Sequence, residues 1–543
     1  MKHSWMKHSW RQDGREPAEG LRTRVARRCS GRWFECFISS RLRSFGLRSS
    51  GLPSSGLPSS GLPSSGLLGV VLLGVVLLGE VAPCLGQIVE QGSFFESPAP
   101  RTGLQAAWAL EQALVDVIAK GEASVVAIAR GSIDADNDLR RPEFIPLEYA
   151  SGVVVDPNGL ILTNYHILGD PQQSSYTVWS AGKSYANARV KAADAWSDLA
   201  VLEIEASGLV PIEFGEPTVL RKGRIVVALG NPYATARDGS VSATWGIVSN
   251  IDRKVDGPAV VTHNSKSVEL GKRQTRYHFG NLIQTDAKLS LGTSGGPLLD
   301  LQGRMVGLTT ALAVLAGYER NVGYAIPADH DFRRIVEQLK QGQEVEYGFL
   351  GVEPVNIELT PGDFAVMLRS VEPGTPALKY GLREQDIVMQ IEGRPVRTTD
   401  DLFYAIGSLP AGEEATIVVR RDGRQITKSV LLAKKYIATT WPAISTAPAE
   451  TWRGLAIDYA TAVPPRQNVG LDPEGCVFVR DVQPDSIAWK YGIRPGVFVS
   501  HLNGERVTSP QEFFAKARAV SGGAELLFTT RVGENTRVLL PAE

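Results

Sequence analysis

Several features that commonly stabilise or localise a protein are scarce in this chain. It has four cysteines in 543 residues, and its formal net charge is -1. Because the charge is so nearly balanced, composition gives no electrostatic reason to expect nucleic acid as a partner. No group of His, Cys and Asp residues has the spacing of a metal site, so we expect neither a metal nor another cofactor.

A hydrophobic run long enough for an ordinary membrane span is also lacking. The most apolar run, 67–78, has the length of the hydrophobic region of a signal peptide. It follows 1–66, an Arg-rich segment with a Ser-Ser-Gly-Leu-Pro repeat that cannot bury a core and is expected to be unfolded. Residues 67–86 are therefore predicted to be a signal peptide, and the alternative is an uncleaved membrane anchor.

Cysteine is almost absent from the part expected to fold. Cys29, Cys36 and Cys84 precede the expected cleavage near Gln87, which leaves only Cys476 after it. An exported chain with one cysteine has no internal disulfide, so its stability has to come from its core. Cys476 lies in an alternating apolar stretch, which favours a buried structural thiol over a nucleophile.

The part after residue 86 begins with an N-terminal arm, 87–103, and a first folded domain is predicted for 104–341. Apolar spacing predicts an amphipathic helix over 104–119 and a closing helix over 327–339 that starts with Pro327. Short β-branched runs between Pro, Gly and Asn turns predict one or two antiparallel barrels. The predicted strands are 124–130, 152–155, 160–164, 176–180, 199–204, 225–229, 244–251, 305–310 and 321–326.

One turn in this region, 292–296 (Gly-Thr-Ser-Gly-Gly), has the composition of a nucleophile loop. Glycines on both sides can hold Ser294 on a tight turn whose backbone N–H groups converge. His166, just past a strand end, is placed to take the serine proton, and Asp198, just before a buried strand, to orient the histidine. Each of these residues alone is more often a turn former or a half-buried polar residue. Together, in the order His, Asp, Ser, they predict a catalytic triad.

Several stretches around these residues resemble the successive signatures of the HtrA (Deg) family, trypsin-like serine proteases of bacterial envelopes and organelles. They are 163–166, 198–202, 284–287, 292–296 and 323–327. The resemblance implies a chymotrypsin-like double β-barrel with its active site between the barrels. It also implies that the N–H groups of Gly292 and Ser294 form the oxyanion hole, and that 308–311 and 323–325 wall the primary specificity pocket.

The sequence departs from that family in places. Thr293 and 290–291 (Ser-Leu) stand where the family commonly has Asn and Asn-Pro, and 252–278 is longer than usual. Because the oxyanion donors are backbone groups, we expect catalysis to survive. Lys288 holds the place at which trypsin has an Asp that selects basic residues. If Lys288 faces solvent, the aliphatic preference of the family is expected; if it lines the pocket, acidic residues are expected.

The rest of the chain contains an internal repeat. Residues 371–382 and 482–493 align without a gap, which indicates two copies of one module. We assign the copies to 347–435 and 452–543 and treat the Ala-, Thr- and Pro-rich segment 436–451 as a linker.

The repeated module resembles the PDZ domain of bacterial proteases. The resemblance implies that Phe349, Leu350, Gly351 and Val352 present backbone N–H groups to the terminal carboxylate of a peptide, and that a helix over 400–409 lines the groove. In the second copy, Trp-Arg-Gly-Leu at 452–455 matches this loop only loosely, so peptide binding there stays open.

The predicted fold class is mostly β: a chymotrypsin-like double β-barrel protease domain followed by two α+β PDZ-like domains. The predicted function is that of an exported serine endopeptidase that cleaves unfolded or damaged proteins, with PDZ-like domains binding peptide C-termini. The alternative is a proteolytically silent PDZ-bearing chaperone or scaffold. A non-proteolytic hydrolase on the same barrels is a weaker third hypothesis, which the two peptide-binding repeats argue against.

The expected partners are unfolded proteins and peptides, with no nucleic acid, and a membrane only if the signal segment is uncleaved. The resemblance further implies a homo-oligomer built from trimers, with Phe94, Phe95 and Trp108 as candidate interface aromatics.

Overall fold

The computed structural model describes residues 103–133, 148–231, 240–254, 261–263, 266–268, 275–310, 322–438, 443–464, 472, 474–529 and 535–542. Outside these residues lie the predicted N-terminal segment and signal peptide, the arm up to residue 102, about half of 252–278, and Cys29, Cys36, Cys84, Phe94, Phe95 and Ala311.

Six α-helices lie within the described residues. They are α1 Gly103–Glu122, α2 His330–Lys340, α3 Pro376–Lys379, α4 Thr399–Ser408, α5 Ile487–Lys490 and α6 Pro510–Arg518. In this part of the chain, no helix combines the length and the apolarity that crossing a bilayer requires. The first helix packs by its second half only: Val117 and Gly121 are buried, whereas Leu104 and Trp108 are each 58% exposed.

The first β unit is an eight-stranded antiparallel sheet. Its strands are β1 Val125–Ser132, β2 Glu148–Asp156, β3 Leu160–Asn164, β4 Ser174–Ser180, β5 Lys183–Ala186, β6 Arg189–Asp194, β7 Leu199–Glu203 and the distant β24 Ile444–Ser445. They pair in the order β24-β6-β7-β3-β2-β1-β4-β5. Val153 and Leu162, partners across β2 and β3, are fully buried, as expected for the apolar face of each strand.

The second β unit contains a closed six-stranded barrel. The strands of this part of the chain are β8 Ile225–Gly230, β9 Ser242–Arg253, β10 Val261–His263, β11 Lys266–Val268, β12 Leu282–Thr285, β13 Pro297–Leu299, β14 Met305–Thr310 and β15 Gly323–Pro327. The barrel closes in the order β12-β15-β14-β13-β8-β9, and β10 and β11 form a separate hairpin. The predicted antiparallel β domain is confirmed.

The closing helix begins later than predicted. Pro327 ends β15, and α2 starts at His330 because Asp329 caps it by accepting a hydrogen bond from the N–H of Phe332 at 2.9 Å. A capping aspartate satisfies an otherwise unpaired N–H group, so Asp329 and not Pro327 fixes the start of the helix.

Two smaller α+β units follow. The strands of the first are β16 Gly348–Phe349, β17 Val352–Thr360, β18 Asp363–Val371, β19 Ile387–Ile391, β20 Arg394–Pro395, β21 Glu414–Arg421, β22 Arg424–Leu431 and β23 Ala433–Lys434. Those of the second are β25 Thr451–Trp452, β26 Leu455–Tyr459, β27 Val477–Val482, β28 Phe498–Leu502, β29 Glu505–Arg506, β30 Ala524–Thr529 and β31 Asn535–Leu540. Their main sheets run β17-β18-β19-β21-β22 and β25-β26-β27-β28-β30-β31. The two units share this strand order, as two copies of one module would.

The linker predicted for 436–451 contains an ordered strand. Ile444 of β24 pairs with Ala193 of β6, and Ser445 pairs with Ala192. The Thr446 hydroxyl donates to the carbonyl of Lys191 at 2.8 Å. The chain between the two repeats is therefore fastened to the first β unit.

Trp196 joins the first β unit to the first repeat. Its indole N–H donates to the carbonyl of Gly407 at the end of α4, at 3.0 Å. Its ring packs against Tyr347, with ring centroids 6.4 Å apart, and the ammonium of Lys435 lies 4.6 Å from its centroid. The first repeat is thus packed directly against the protease-like part.

A buried lysine, Lys434, forms ion pairs with three carboxylates at the contact between the two repeats. Its ammonium lies 2.7 Å from Glu344, 3.0 Å from Glu346 and 3.0 Å from Asp458, and its side chain is only 8% exposed. Burial by itself lowers the pKa of Lys434, but the three carboxylate charges outweigh it and raise that pKa. The lysine is therefore held as a cation that neutralises a cluster of acids.

We expect Lys434→Met to destabilise the protein by about 3–5 kcal/mol, because it leaves buried carboxylates without their cation. The loss should be larger at pH 8 than at pH 5, since protonation relieves the repulsion among the remaining acids. Urea unfolding at the two pH values measures both effects.

The control is Arg518→Met, which removes the exposed pair of Arg518 with Glu450, whose side chains are 66% and 54% exposed. That pair should contribute about 0–1 kcal/mol. Equal losses for the two variants would show that burial of the Lys434 cluster has no energetic consequence.

Candidate active site

His166 lies in a short 3-10 helix, Tyr165–Ile167, that begins where β3 ends. Its ring Nδ1 is 2.9 Å from each carboxylate oxygen of Asp198, and its backbone N–H donates to Asp198 Oδ1 at 3.0 Å. The side chain of His166 is 18% exposed, so one edge of the ring reaches solvent. The paired Nδ1 leaves Nε2 as the nitrogen available for proton transfer.

The Asp198 carboxylate is held by donors from three elements. Besides the two groups of His166, the amide of Asn164 and the hydroxyl of Thr310 each donate to Oδ2 at 3.2 Å. Asp198 has φ 55°, in the left-handed region that aspartate adopts more readily than most residues. Its side chain is 2% exposed, so these contacts fix its orientation toward the histidine.

The pKa of His166 reflects two opposed effects. Burial by itself lowers it, because burial disfavours the imidazolium. The charge of Asp198 and its hydrogen bond to the ring outweigh burial, so the pKa of His166 is raised above the ordinary 6.5. The ring is therefore a stronger base than a free histidine.

The turn that carries Ser294 is held by its neighbours. Gly295 has φ 84°, and a Cβ there would lie 2.1 Å from the carbonyl oxygen of Ser151, so only glycine fits. The N–H of Ser151 donates to the carbonyl of Ser294 at 2.8 Å, and the hydroxyl of Ser151 donates to the carbonyl of Gly292 at 2.7 Å. The Thr309 hydroxyl donates to Thr293 at 2.6 Å from the other side.

Two backbone N–H groups of this turn differ from the rest. Those of Thr293, Gly295 and Gly296 donate to carbonyls within 3.1 Å. In contrast, those of Gly292 and Ser294 donate to no acceptor among the described residues. These two N–H groups flank the candidate nucleophile and are free to bind an oxyanion.

The structure brings His166 and Asp198 into contact and places the turn of Ser294 beside the strand that precedes His166. A Cβ on Gly295 would lie 2.4 Å from the hydroxyl of Thr163, three residues before His166, so the serine turn lies against the histidine strand. Within the described residues, no hydrogen bond of 3.5 Å or less joins the Ser294 hydroxyl to the His166 ring. Such contacts are often longer without substrate and shorten in the complex.

The supporting roles of four residues were not predicted from the sequence: Ser151, Asn164, Thr309 and Thr310. All four are buried and direct side-chain hydrogen bonds at the serine turn or at Asp198. A signal was present, because each is a small polar residue in a short strand in which most other residues are apolar. A polar side chain buried in this way needs a partner, and here the partner is the site.

The walls of the primary pocket are only partly described, because Ala311 lies outside the described residues. Lys288 is exposed, and its carbonyl accepts a hydrogen bond from the Thr244 hydroxyl at 3.0 Å. A Cβ on Gly323 would lie 2.8 Å from the Leu289 side chain, so an apolar residue contacts that wall. This arrangement favours the aliphatic preference over the acidic one.

The predicted carboxylate loop of the first repeat also has unpaired donors. Gly351 has φ 84°, and a Cβ there would lie 2.2 Å from the Thr375 side chain. Among the described residues, the N–H groups of Leu350 and Gly351 donate to no acceptor. Helix α4 lies one residue earlier at each end than the predicted 400–409 and contacts β17, as a groove wall would.

The second repeat differs at the corresponding loop. Arg453 and Gly454 form the two-residue turn of a hairpin in which Trp452 of β25 pairs with Leu455 of β26. The Trp452 ring packs edge-on against Phe513 of α6 at 5.7 Å. The strand edge that is open in the first repeat is therefore already paired in the second.

Other ionisable side chains form no comparable site. Within the described ranges, no group of three or more His, Cys, Asp or Glu residues could hold a metal ion. Cys476 is 3% exposed, and burial raises the pKa of its thiol to about 12, so it stays protonated.

Comparisons with known proteins indicate the family of the chain. The trypsin-like peptidase domain family matches residues 150–308, and the PDZ domain family matches residues 348–432. A probable periplasmic DegP-like serine endoprotease of Pseudomonas fulva is 30% identical over 385 residues, which is 68% of this chain and 74% of the relative. That of Pseudomonas fluorescens is 29% identical over 381 residues, again 68% and 74%.

A solved HtrA-type protease, AlgW with a tripeptide, is 22% identical with a TM-score of 0.44 and covers 60% of this chain and 99% of its own. The assignment comes from the sequence relatives and the two matched families. The chain belongs to the HtrA family and is a trypsin-like serine endopeptidase with PDZ domains.

Proposed function

We propose that Ser294, His166 and Asp198 are the catalytic triad of this endopeptidase. Ser294 attacks the scissile carbonyl, His166 takes the serine proton and then gives it to the leaving amine, and Asp198 orients the ring and stabilises the imidazolium. The support is the geometry of the His166 and Asp198 pair, with Nδ1 at 2.9 Å from both oxygens.

The observation that carries this proposal most directly is the pair of unused N–H groups at Gly292 and Ser294. In the tetrahedral intermediate the former carbonyl oxygen carries a negative charge, which two preorganised donors stabilise. Among the described residues, the neighbouring N–H groups of this turn donate to carbonyls, while those of Gly292 and Ser294 have no acceptor. The geometry therefore favours an active enzyme over a silent scaffold.

A fluorophosphonate probe tests this function. The probe reacts with an activated serine, so the native chain should be labelled and Ser294→Ala should not. The matched control is Ser207→Ala, which removes an exposed hydroxyl away from the site. A native chain that folds but takes no label would favour the silent chaperone.

We further propose unfolded proteins as the substrates, because an endopeptidase cleft accepts extended backbone that folded proteins rarely expose. In the same preparations, native chain should degrade a reduced and alkylated protein while its disulfide-intact form survives, and Ser294→Ala should degrade neither. Equal cleavage of both forms would contradict this substrate class.

The pH profile follows from the raised pKa of His166. The ring acts as base only when neutral, so kcat/KM should fall as the pH drops through a value above the ordinary 6.5. Asp198→Asn removes the charge that raises the pKa, so the acid limb should move to lower pH while kcat drops by about 10⁴-fold. An acid limb that stays in place in Asp198→Asn would contradict the assigned coupling.

We also propose that the protein is exported to the periplasm and assembles into trimers. The apolar run 67–78 and the relatives named as periplasmic support export. The exposed apolar side chains of α1, Leu104, Trp108 and Val115, support assembly.

Protein recovered from the periplasm of a bacterial host should therefore begin near Gln87 and have three times the monomer mass by light scattering. Trp108→Glu should reduce that mass, whereas Val219→Glu, at a 51% exposed position elsewhere, should not. Full-length chain in the cytosol would contradict export, and a monomeric native chain would contradict assembly.

A further inference from the structure

The first repeat leaves one edge of its main sheet unpaired. Among the described strands, β17 is the outermost of that sheet and pairs with β18 alone. The carbonyl of Gly351, just before β17, accepts a hydrogen bond from the N–H of Glu372 at 3.0 Å and so points toward β18. Backbone groups alternate along a strand, so those of Glu353 also point toward β18, and those of Val352 and Pro354 point to the open edge.

A peptide that ends at this edge has clear partners for its last residue. The N–H groups of Leu350 and Gly351 have no acceptor within the described part of the chain and suit a carboxylate. The Val352 carbonyl at the open edge can accept the N–H of the terminal peptide residue. This much rests on the peptide-binding role that the PDZ resemblance implies for Phe349, Leu350, Gly351 and Val352.

The next position along the edge breaks the pattern. Pro354 has no N–H, so the second donor of a peptide ladder is absent, and its ring occupies the space of that donor. A β-bulge between Glu353 and Pro354 bends the pairing at the same point. A carbonyl two residues before the peptide end would therefore be desolvated without a donor.

One step further the groove is bridged by the protein itself. The side-chain oxygen of Asn356 on β17 accepts a hydrogen bond from the N–H of Thr399, the first residue of α4, at 2.8 Å. This contact links the strand and the helix that form the two walls. The open length of the edge thus extends only from Val352 to the residue before Asn356.

We propose that the first repeat binds only the last two residues of a polypeptide with a free carboxylate, whatever sequence precedes them. Its ligands are then chain ends as a class, including the new C-termini that endoproteolysis creates. The second repeat does not share this site, because β25 occupies the equivalent edge.

The test measures binding of peptides of two to six residues with one C-terminal sequence to the full chain carrying Ser294→Ala. Lengthening the peptide from two to six residues should change the affinity less than threefold. In Pro354→Leu, which restores the N–H, the six-residue peptide should gain about threefold to tenfold while the dipeptide is unchanged. The matched control is Pro361→Leu, at the exposed tip of the same hairpin. This change should alter neither the affinity of the six-residue peptide nor that of the dipeptide.

A second readout comes from peptides in which one backbone amide is replaced by an ester. The replaced amide is the one whose carbonyl lies two residues before the peptide end, and an ester carbonyl is a weaker hydrogen-bond acceptor. The wild-type groove should bind ester and amide peptides equally, and Pro354→Leu should prefer the amide. A wild-type affinity that rises more than tenfold with length, or falls with the ester, would overturn the two-residue limit.

Peptides with an amidated C-terminus separate the two levels of the proposal. If amidation weakens binding but affinity rises with length, the carboxylate site stands and the two-residue limit is wrong. If amidation changes nothing, the carboxylate site itself is wrong and the limit falls with it.

Discussion

A buried carboxylate, Asp194, holds the turn on which both the catalytic cleft and the domain joint depend. It accepts hydrogen bonds from the N–H and hydroxyl of Ser197 at 2.9 and 2.5 Å and from the hydroxyl of Tyr347 at 2.5 Å. Burial raises the pKa of Asp194, and these donors offset part of that effect. The turn places Asp198 on one side, against His166, and Trp196 on the other, against the first repeat. One network thus fixes the orientation of Asp198 toward His166 and the contact between Trp196 and the PDZ domain.

Much of the fold could be predicted because alternating apolar residues report the core face of a strand directly. Residues 160–164 and 305–310 were predicted at their observed bounds, and the His, Asp and Ser motifs were predicted near strand ends, where they lie. The start of α2 was misplaced because Pro327 suits a first helical turn and equally ends a strand, and only the contact of Asp329 with Phe332 decides between them. Strand β24 could not be predicted, because two residues in an Ala- and Pro-rich segment carry no period; its pairing is set by the free edge of β6.

The two repeats show how one sequence pattern can produce two different edges. In both, the carbonyl of the loop glycine, Gly351 or Gly454, accepts an N–H from the next strand, from Glu372 or Gln483. The two repeats differ in the residues that precede this glycine. In the first repeat β16 pairs with β23, whereas in the second β25 folds back onto β26. The guanidinium of Arg453 secures that hairpin by donating to the carbonyl of Pro541 at 2.7 Å.

The anchored strand β24 also limits how far the second repeat can lie from the first β unit. From Thr446, fastened to the first β unit, to Thr451 at the start of β25, the chain can extend about 18 Å. Without that anchor, the tether would run from Lys435 and could reach about 55 Å. The short connecting segment thus keeps the second repeat close to the first β unit. An edge-strand pairing only two residues long thus reduces the reach of that chain segment from about 55 Å to about 18 Å.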